Sequence, residues 1–265
     1  MKNLNGYGLI LGGGGAMGSY EIGVWKALRE LNLKIDAIAG TSVGALNGAM
    51  IIQDDFEKAL DLWSNITLDQ IINVDIKFLD KGLFRWTKED FSLFINLFKD
   101  LIKKGGLDTK PLRQLLQEAI HEDRIRDANM DFGINTYSIT DRKPLELYLE
   151  QIPEGELISY LLASACLPIF KTAEINNKKF LDGGFYDNVP INLLARKGYK
   201  KLIVVELLPI NIKRPPETDN LNIITIKSSR SLGKLMEFNP QRAKANIKLG
   251  YKDTMKIFKV LEGRW

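Results

Sequence analysis

The pentapeptide Gly40-Thr41-Ser42-Val43-Gly44 sits between an apolar run, Ile35 to Ala39, and a helical stretch, Val43 to Ile52. A chain that passes from strand to helix in so few residues has room only for glycine at the flanks of the turn. The turn pushes its serine out at the end of the sheet, with the helix N-terminus behind it. Such a junction confines the fold to one in which strands feed directly into helices, the opening of a parallel α/β sheet. Ser42 is thereby the candidate nucleophile of a G-x-S-x-G elbow, flanked by Gly40 and Gly44. A serine that merely caps a helix is the alternative.

A second junction of the same kind precedes it. The predicted strand Tyr7 to Leu11 runs into Gly12-Gly13-Gly14-Gly15-Ala16-Met17-Gly18 and then a helix from Ser19 to Leu31, so that Gly13, Gly15 and Gly18 spell G-x-G-x-x-G. A dinucleotide site would need an acid at the far end of the next strand. Asp36 has about the right separation but begins that strand. A phosphate-binding P-loop fails because no G-K-[ST] follows. The remaining functional reading is that the bare N–H groups of the run stabilise an anion, such as the oxyanion formed when a serine attacks a carbonyl. A tight turn without a ligand is the alternative.

A serine nucleophile needs a base, and the chain holds one His. His121 lies in an intensely charged stretch through Asp127, which reads as a solvated helix end. A carboxylate at a strand end is the other choice, and Phe180-Leu181-Asp182-Gly183-Gly184 supplies one, although D-G-G alone is also a plain turn sequence. Asp182 is the candidate. With one Cys, Cys166, the chain forms no internal disulfide, and one Cys plus one His cannot build a structural zinc site. An all-carboxylate metal site stays open, but no metal and no cofactor are expected.

The 265 residues, 45% hydrophobic and 26% charged, suit one large domain spanning 1–265. Residues 55–120 are helical in pattern, with helices near Phe56 to Ser64, Lys88 to Lys103 and Lys110 to Ile120, and read as an inserted helical cap. Strands are expected at Phe132 to Ile139, Leu145 to Tyr148, ending at Asp182, Lys201 to Leu207 and Ile223 to Ile226. Helices are expected near Ile158 to Ala165 and after Pro190, and a long amphipathic run covers about 231–261. No segment has the roughly 18 consecutive apolar residues of a membrane span, and the start lacks a signal-peptide run, so the expected compartment is the cytoplasm.

These elements, in this order, resemble the patatin-like phospholipase family: a Gly-rich loop near the start, a G-x-S-x-G elbow some 25 to 30 residues on, and a D-G-[AG] element well downstream. The flanks Ile22 to Leu28, Ala163 to Phe170 and Asp187-Asn188-Val189-Pro190 are similar too. The resemblance covers about Tyr7 to Pro190. It implies a three-layer α/β sandwich with a mostly parallel central sheet and a helical cap. It also implies a Ser-Asp dyad of Ser42 and Asp182 that uses no histidine, with Gly13, Gly14 and Gly15 as the oxyanion hole and Gly18, Gly40, Gly44, Gly183 and Gly184 shaping the turns. The activity implied is lipid acyl hydrolysis through an acyl-enzyme. Where family loops often carry Arg or Lys, this chain has Met17, which removes a cation and inclines the reading toward neutral lipid or simple esters. A short-chain or thioester-directed esterase, and a weakly catalytic regulatory protein, are the alternatives.

Two stretches bear on lipid access. Phe91 to Lys104 is apolar over more than one helical face and ends in lysines, as a buried cap or a lid toward a bilayer would. From Lys227 to Trp265 there are 10 Lys or Arg against 3 acids. Lys244, Lys248, Lys252 and Lys256 form one band of a helix, and Ile247, Tyr251, Met255 and Phe258 form an apolar band. The lysine band is either a solvated face or a peripheral contact with anionic headgroups. Nucleic acid is not an expected partner, because no recognised motif accompanies the charge. Oligomeric state is not legible.

Overall fold

A computed structural model of the chain describes residues 6–73 and 105–262. Its strands are β1 (Tyr7–Leu11), β2 (Ile35–Thr41), β3 (Asp131–Ser138), β4 (Lys143–Tyr148), β5 (Ala173–Ile175), β6 (Lys178–Asp182), β7 (Lys201–Glu206) and β8 (Asn222–Lys227). The helices used below are α1 (Ser19–Glu30), α2 (Val43–Ile52), α3 (Phe56–Asn65), α4 (Lys110–Ala119), α5 (Glu122–Asp127), α6 (Leu157–Ser164), α7 (Ile191–Arg196) and α8 (Pro240–Glu262). Of the expected cap, α3 and α4 are present. The helix expected near Lys88 to Lys103, and the apolar stretch Phe91 to Lys104, lie outside the described residues.

The central strands β3, β2, β1, β7 and β8 are parallel neighbours, and β4, β5 and β6 join antiparallel. Alternate residues of the parallel strands enter two different cores. Leu9, Leu11, Ile38, Ile203 and Val205 face the larger one with α1 and α2, whereas Ile10, Ala37, Ala39, Leu202 and Val204 face the smaller one with α7. A sheet covered on both faces explains why these strands read as continuous apolar runs rather than alternating ones. The result is the expected three-layer arrangement.

The registers on β3 place the site. Residues Ala37 to Thr41 of β2 pair with Asp131 to Asn135, and Asp182 to Phe180 of β6 pair with Thr136 to Ser138. Because β4 pairs with β3 from Gly133 to Ser138, it occupies one whole edge. A strand has two edges, so β2 and β6 must share the other one, meeting end to end at their C-termini. Thr41 opposite Asn135 and Asp182 opposite Thr136 are therefore next to each other although 141 residues separate them.

The C-terminal helix is shorter than expected. It starts at Pro240, where the Asn239 side chain accepts from the Arg242 N–H at 3.0 Å, a cap followed by proline at the first helical position. Residues 231–239 instead run past the Gly-rich loop, and the Leu235 carbonyl accepts from the Ala16 N–H at 2.8 Å. Its apolar band docks on the domain, with Ile247 and Phe258 buried, while Lys244, Lys248, Lys252 and Lys256 are exposed. The three-residue strand β5, too short to leave a period-two signal, is an addition to the sequence reading.

The smaller core is the simplest place to test the layer assignment. Leu193→Ala, at a fully buried position on α7, is expected to lower stability by about 2–5 kcal/mol in urea unfolding. A loss near zero would mean that the second layer does not cover the sheet.

Candidate active site

Ser42 has the backbone angles φ 55° and ψ −126°, between β2 and the first residue of α2. A non-glycine residue at positive φ is strained by about 1–3 kcal/mol, so the surroundings must hold it there. The flanking glycines permit this by absence. A Cβ on Gly40 would lie 2.4 Å from the Gly44 carbonyl, and one on Gly44 would lie 2.3 Å from the Leu11 carbonyl. The Ser42 N–H donates to the Ser164 hydroxyl at 2.9 Å, and Thr41 donates to Asn135 Oδ1 at 2.7 Å.

The Ser42 hydroxyl donates to Asp182 Oδ2 at 2.6 Å. Asp182 Oδ1 accepts the Gly184 N–H at 2.7 Å, so the D-G-G turn orients the carboxylate through its own backbone. Ser42 is 7% and Asp182 3% exposed. Burial pushes the Asp182 carboxyl up to about 6, although the bonds from Ser42 and Gly184 pull it down. His121 is elsewhere. Its N–H donates to Gln53 between α4 and α5, and its side chain is exposed.

The Gly-rich loop lies alongside. A Cβ on Gly13 would meet the Ser42 Cβ at 3.2 Å. Of the three glycines expected to offer N–H groups, Gly13 donates its own to the Asn188 carbonyl at 3.2 Å. Among the described residues no acceptor takes those of Gly14 and Gly15, which precede the short 3₁₀ turn Gly15–Gly18. The available donors are thus two rather than three. Met17 is buried in the larger core, so this position supplies no charge to the loop. Asp36 is at the opposite end of the sheet from the loop, bonded to Gly6 and Lys34, which removes the dinucleotide reading.

Three polar residues behind the pair, Asn135, Ser164 and Asn188, were given no role from sequence. Asn135 Nδ2 donates to the Asp187 carbonyl at 2.7 Å, and Thr41 Oγ1 lies 2.9 Å from the same carbonyl. Asn188 Nδ2 donates to the Gly13 carbonyl and to Asn211. Ser164 holds the Ser42 amide. The only sequence signal for Asn188 and Ser164 is that they fall in the flanks quoted above. Asn135 reads as an ordinary strand residue until the sheet brings it beneath the elbow.

Ser42 and Gly15 line an apolar cavity of about 100 Å³. Its walls come from α2, α3 and α4 and from Met236 and Phe238. One polar patch lies on the wall: Asn47 donates to Glu21 Oε2 at 2.7 Å and accepts from Trp63 at 2.9 Å, while Glu21 Oε1 is buried and has no partner among the described residues. Burial lifts the Glu21 carboxyl to about 8, so it is neutral at pH 7. The arrangement offers a hydroxyl with an adjacent proton acceptor, two free N–H donors and room for an apolar chain.

Residues 9–195 match the model of the family described as Patatin-like phospholipase. The chain is 26% identical over 250 residues to Lysophospholipase NTE1 of Saccharomyces cerevisiae, covering 92% of this chain and 13% of that protein. It is 25% identical over 211 residues to Patatin-like phospholipase domain-containing protein 7 of Rattus norvegicus, covering 77% and 14%. The chain therefore spans about an eighth of the length of these relatives. The structure of VipD from Legionella pneumophila superposes with a TM-score of 0.60 at 15% identity, covering 96% of this chain and 67% of that one, a likeness of fold.

The raised Asp182 pKa has a consequence for stability. An acid whose folded pKa exceeds its unfolded value of about 4 binds its proton more tightly when folded. The stability it contributes is complete below about pH 4 and is lost as pH rises through about 6. Asp182→Asn is neutral throughout, and is expected to exceed the parent in stability above about pH 7 by on the order of 2 kcal/mol, with no difference below about pH 4. Urea unfolding at the two pH values measures this, and equal stability at both would contradict a buried charged carboxylate.

Proposed function

Since the chain belongs to the patatin-like phospholipase family, we propose that it is a lipid acyl hydrolase, a carboxylic ester hydrolase of phospholipase A or lysophospholipase type, working through Ser42 and Asp182. The observation that carries the reading is the 2.6 Å bond from the Ser42 hydroxyl, which lines an apolar cavity, to buried Asp182. A cavity walled by Leu, Ile, Phe and Trp side chains accepts an acyl chain and gives a headgroup nothing to bind.

In this mechanism the Ser42 oxygen attacks the ester carbonyl carbon while its proton passes to Asp182 Oδ2. The carbonyl oxygen becomes an oxyanion that accepts the N–H groups of Gly14 and Gly15. The oxyanion collapses, the C–O bond to the alcohol breaks, and Asp182 returns the proton to the departing oxygen. Water then attacks the acyl-enzyme, giving its proton to Asp182, and the fatty acid leaves as Ser42 recovers its hydrogen. The first turn of α2 places its positive end behind Ser42, which favours the negative charge. An aspartate at its ordinary pKa of about 3.9 is a poor base at neutral pH, and burial improves the match. No cofactor or metal takes part in these steps.

Two outcomes are expected. Hydrolysis of a graded series of p-nitrophenyl acyl esters and of a fluorogenic phospholipid falls about a thousandfold or more in Ser42→Ala and in Asp182→Asn; a preference for short acyl chains would favour a simple or thioester-directed esterase, and undiminished activity without Ser42 would overturn the mechanism. In the parent, kcat/KM rises with pH through about 6 as Asp182 loses its proton, and a profile flat down to about pH 4 with the fold intact would exclude Asp182 as the base.

A further inference from the structure

Among the described residues, six large hydrophobic side chains are exposed, and four of them stand on loops around Ser42. Phe185 is 53% exposed, in the turn that begins one residue after Asp182. Ile210 is 87% and Ile212 59% exposed, on the segment that follows β7. The Ile212 carbonyl accepts the Asn188 N–H at 2.6 Å, and Asn211 between the two isoleucines accepts from the Asn188 side chain, which in turn donates to Gly13. Leu235 is 37% exposed, and its carbonyl holds Ala16 directly after the Gly-rich loop. The segments that carry the four are thus tied by short hydrogen-bond paths, or by chain continuity with Asp182, to the Ser42 site.

Burying such side chains against protein or lipid is favourable, and leaving four of them in water around one cavity is a cost that only a contact recovers. The same loops carry exposed Arg214 and Arg230, and beside them Lys213 and Lys227, at the end of β8, share the single carboxylate of Glu206, which leaves the cluster net positive. Apolar tips set among cations match the boundary of a phospholipid bilayer, where acyl chains lie beneath a layer of phosphate groups. Next to Leu235, Met236 lines the cavity, so the rim continues into the acyl-accepting space. We propose that Phe185, Ile210, Ile212 and Leu235 form a bilayer-docking rim that seats the cavity mouth on the lipid surface. The choice of a bilayer as occupant rests on the acyl-hydrolase reading above. The α8 lysine band is a separate surface and carries no part of this inference.

The test uses the full chain and the double variant Ile210→Asp/Ile212→Asp, whose substituted side chains point mostly into water and touch neither Ser42 nor Asp182. Co-sedimentation with phosphatidylcholine–phosphatidylglycerol vesicles reports docking, and hydrolysis of a soluble short-chain p-nitrophenyl ester reports the Ser42 site. The expected result is vesicle binding by the parent that weakens about tenfold or more in the variant, with soluble-ester hydrolysis unchanged. Binding of the variant equal to the parent, or a parent that does not sediment, would overturn the rim. So would a parent dimer that the substitutions split, since a second copy would then be what covers the face. A parent that binds vesicles through Ile210 and Ile212 yet hydrolyses no ester would uphold the rim and remove the enzymatic reading.

Discussion

A serine hydroxyl and an aspartate carboxylate held 2.6 Å apart and largely buried is an arrangement that a folding chain does not reach by local preference. Ser42 stands in a backbone conformation that non-glycine residues avoid, and Asp182 carries a charge into a region that disfavours it. Both costs are met by the sheet. Because β2 and β6 meet end to end along one edge of β3, the register of two ladders decides how far Asp182 is from Ser42. A slip of one residue in either would turn the pair to opposite faces.

The surrounding polar residues keep that seam from relaxing. Thr41 and Asn135 both reach the Asp187 carbonyl, and Asn188 ties the Gly-rich loop to the segment after β7. The reacting pair and the Gly-rich loop come from the C-terminal ends of the parallel strands and of β6, with Ser164 at the end of α6 and Asn188 after β6 in support. That is the end of an open α/β sheet at which ligands bind, because there the helix N-termini and the loops converge. The cavity walls come mainly from helices α2, α3 and α4 with Met236 and Phe238, so α2 serves both the elbow and the space before it.

The fold and the pair were legible because they rest on signals with local causes. Glycines where a Cβ would strike a neighbouring carbonyl, as at Gly40 and Gly44, mark a turn tight enough to set Ser42 at the end of the sheet. Asp182 was legible for a weaker reason, the lack of a suitably placed histidine, which the structure makes concrete by leaving His121 between two helices. What was not legible depends on three-dimensional pairing. The loss of the Gly13 N–H to Asn188, the role of Asn135, and the exposure of Ile210 and Ile212 carry no periodicity or motif. The start of α8 was misplaced although Asn239-Pro240 is a proper helix opening, because the apolar spacing upstream continues through Leu232, Leu235 and Met236, residues that serve the loop and cavity rather than a helix.

The central claim, that Ser42 is a nucleophile activated by Asp182, is tested most directly by covalent trapping. A fluorophosphonate reacts with an activated serine by losing fluoride, and the adduct is located by peptide mass spectrometry. The account predicts one adduct, on Ser42, forming much more slowly in Asp182→Asn. No adduct, an adduct on another serine, or equal labelling of the Asp182 variant would contradict it.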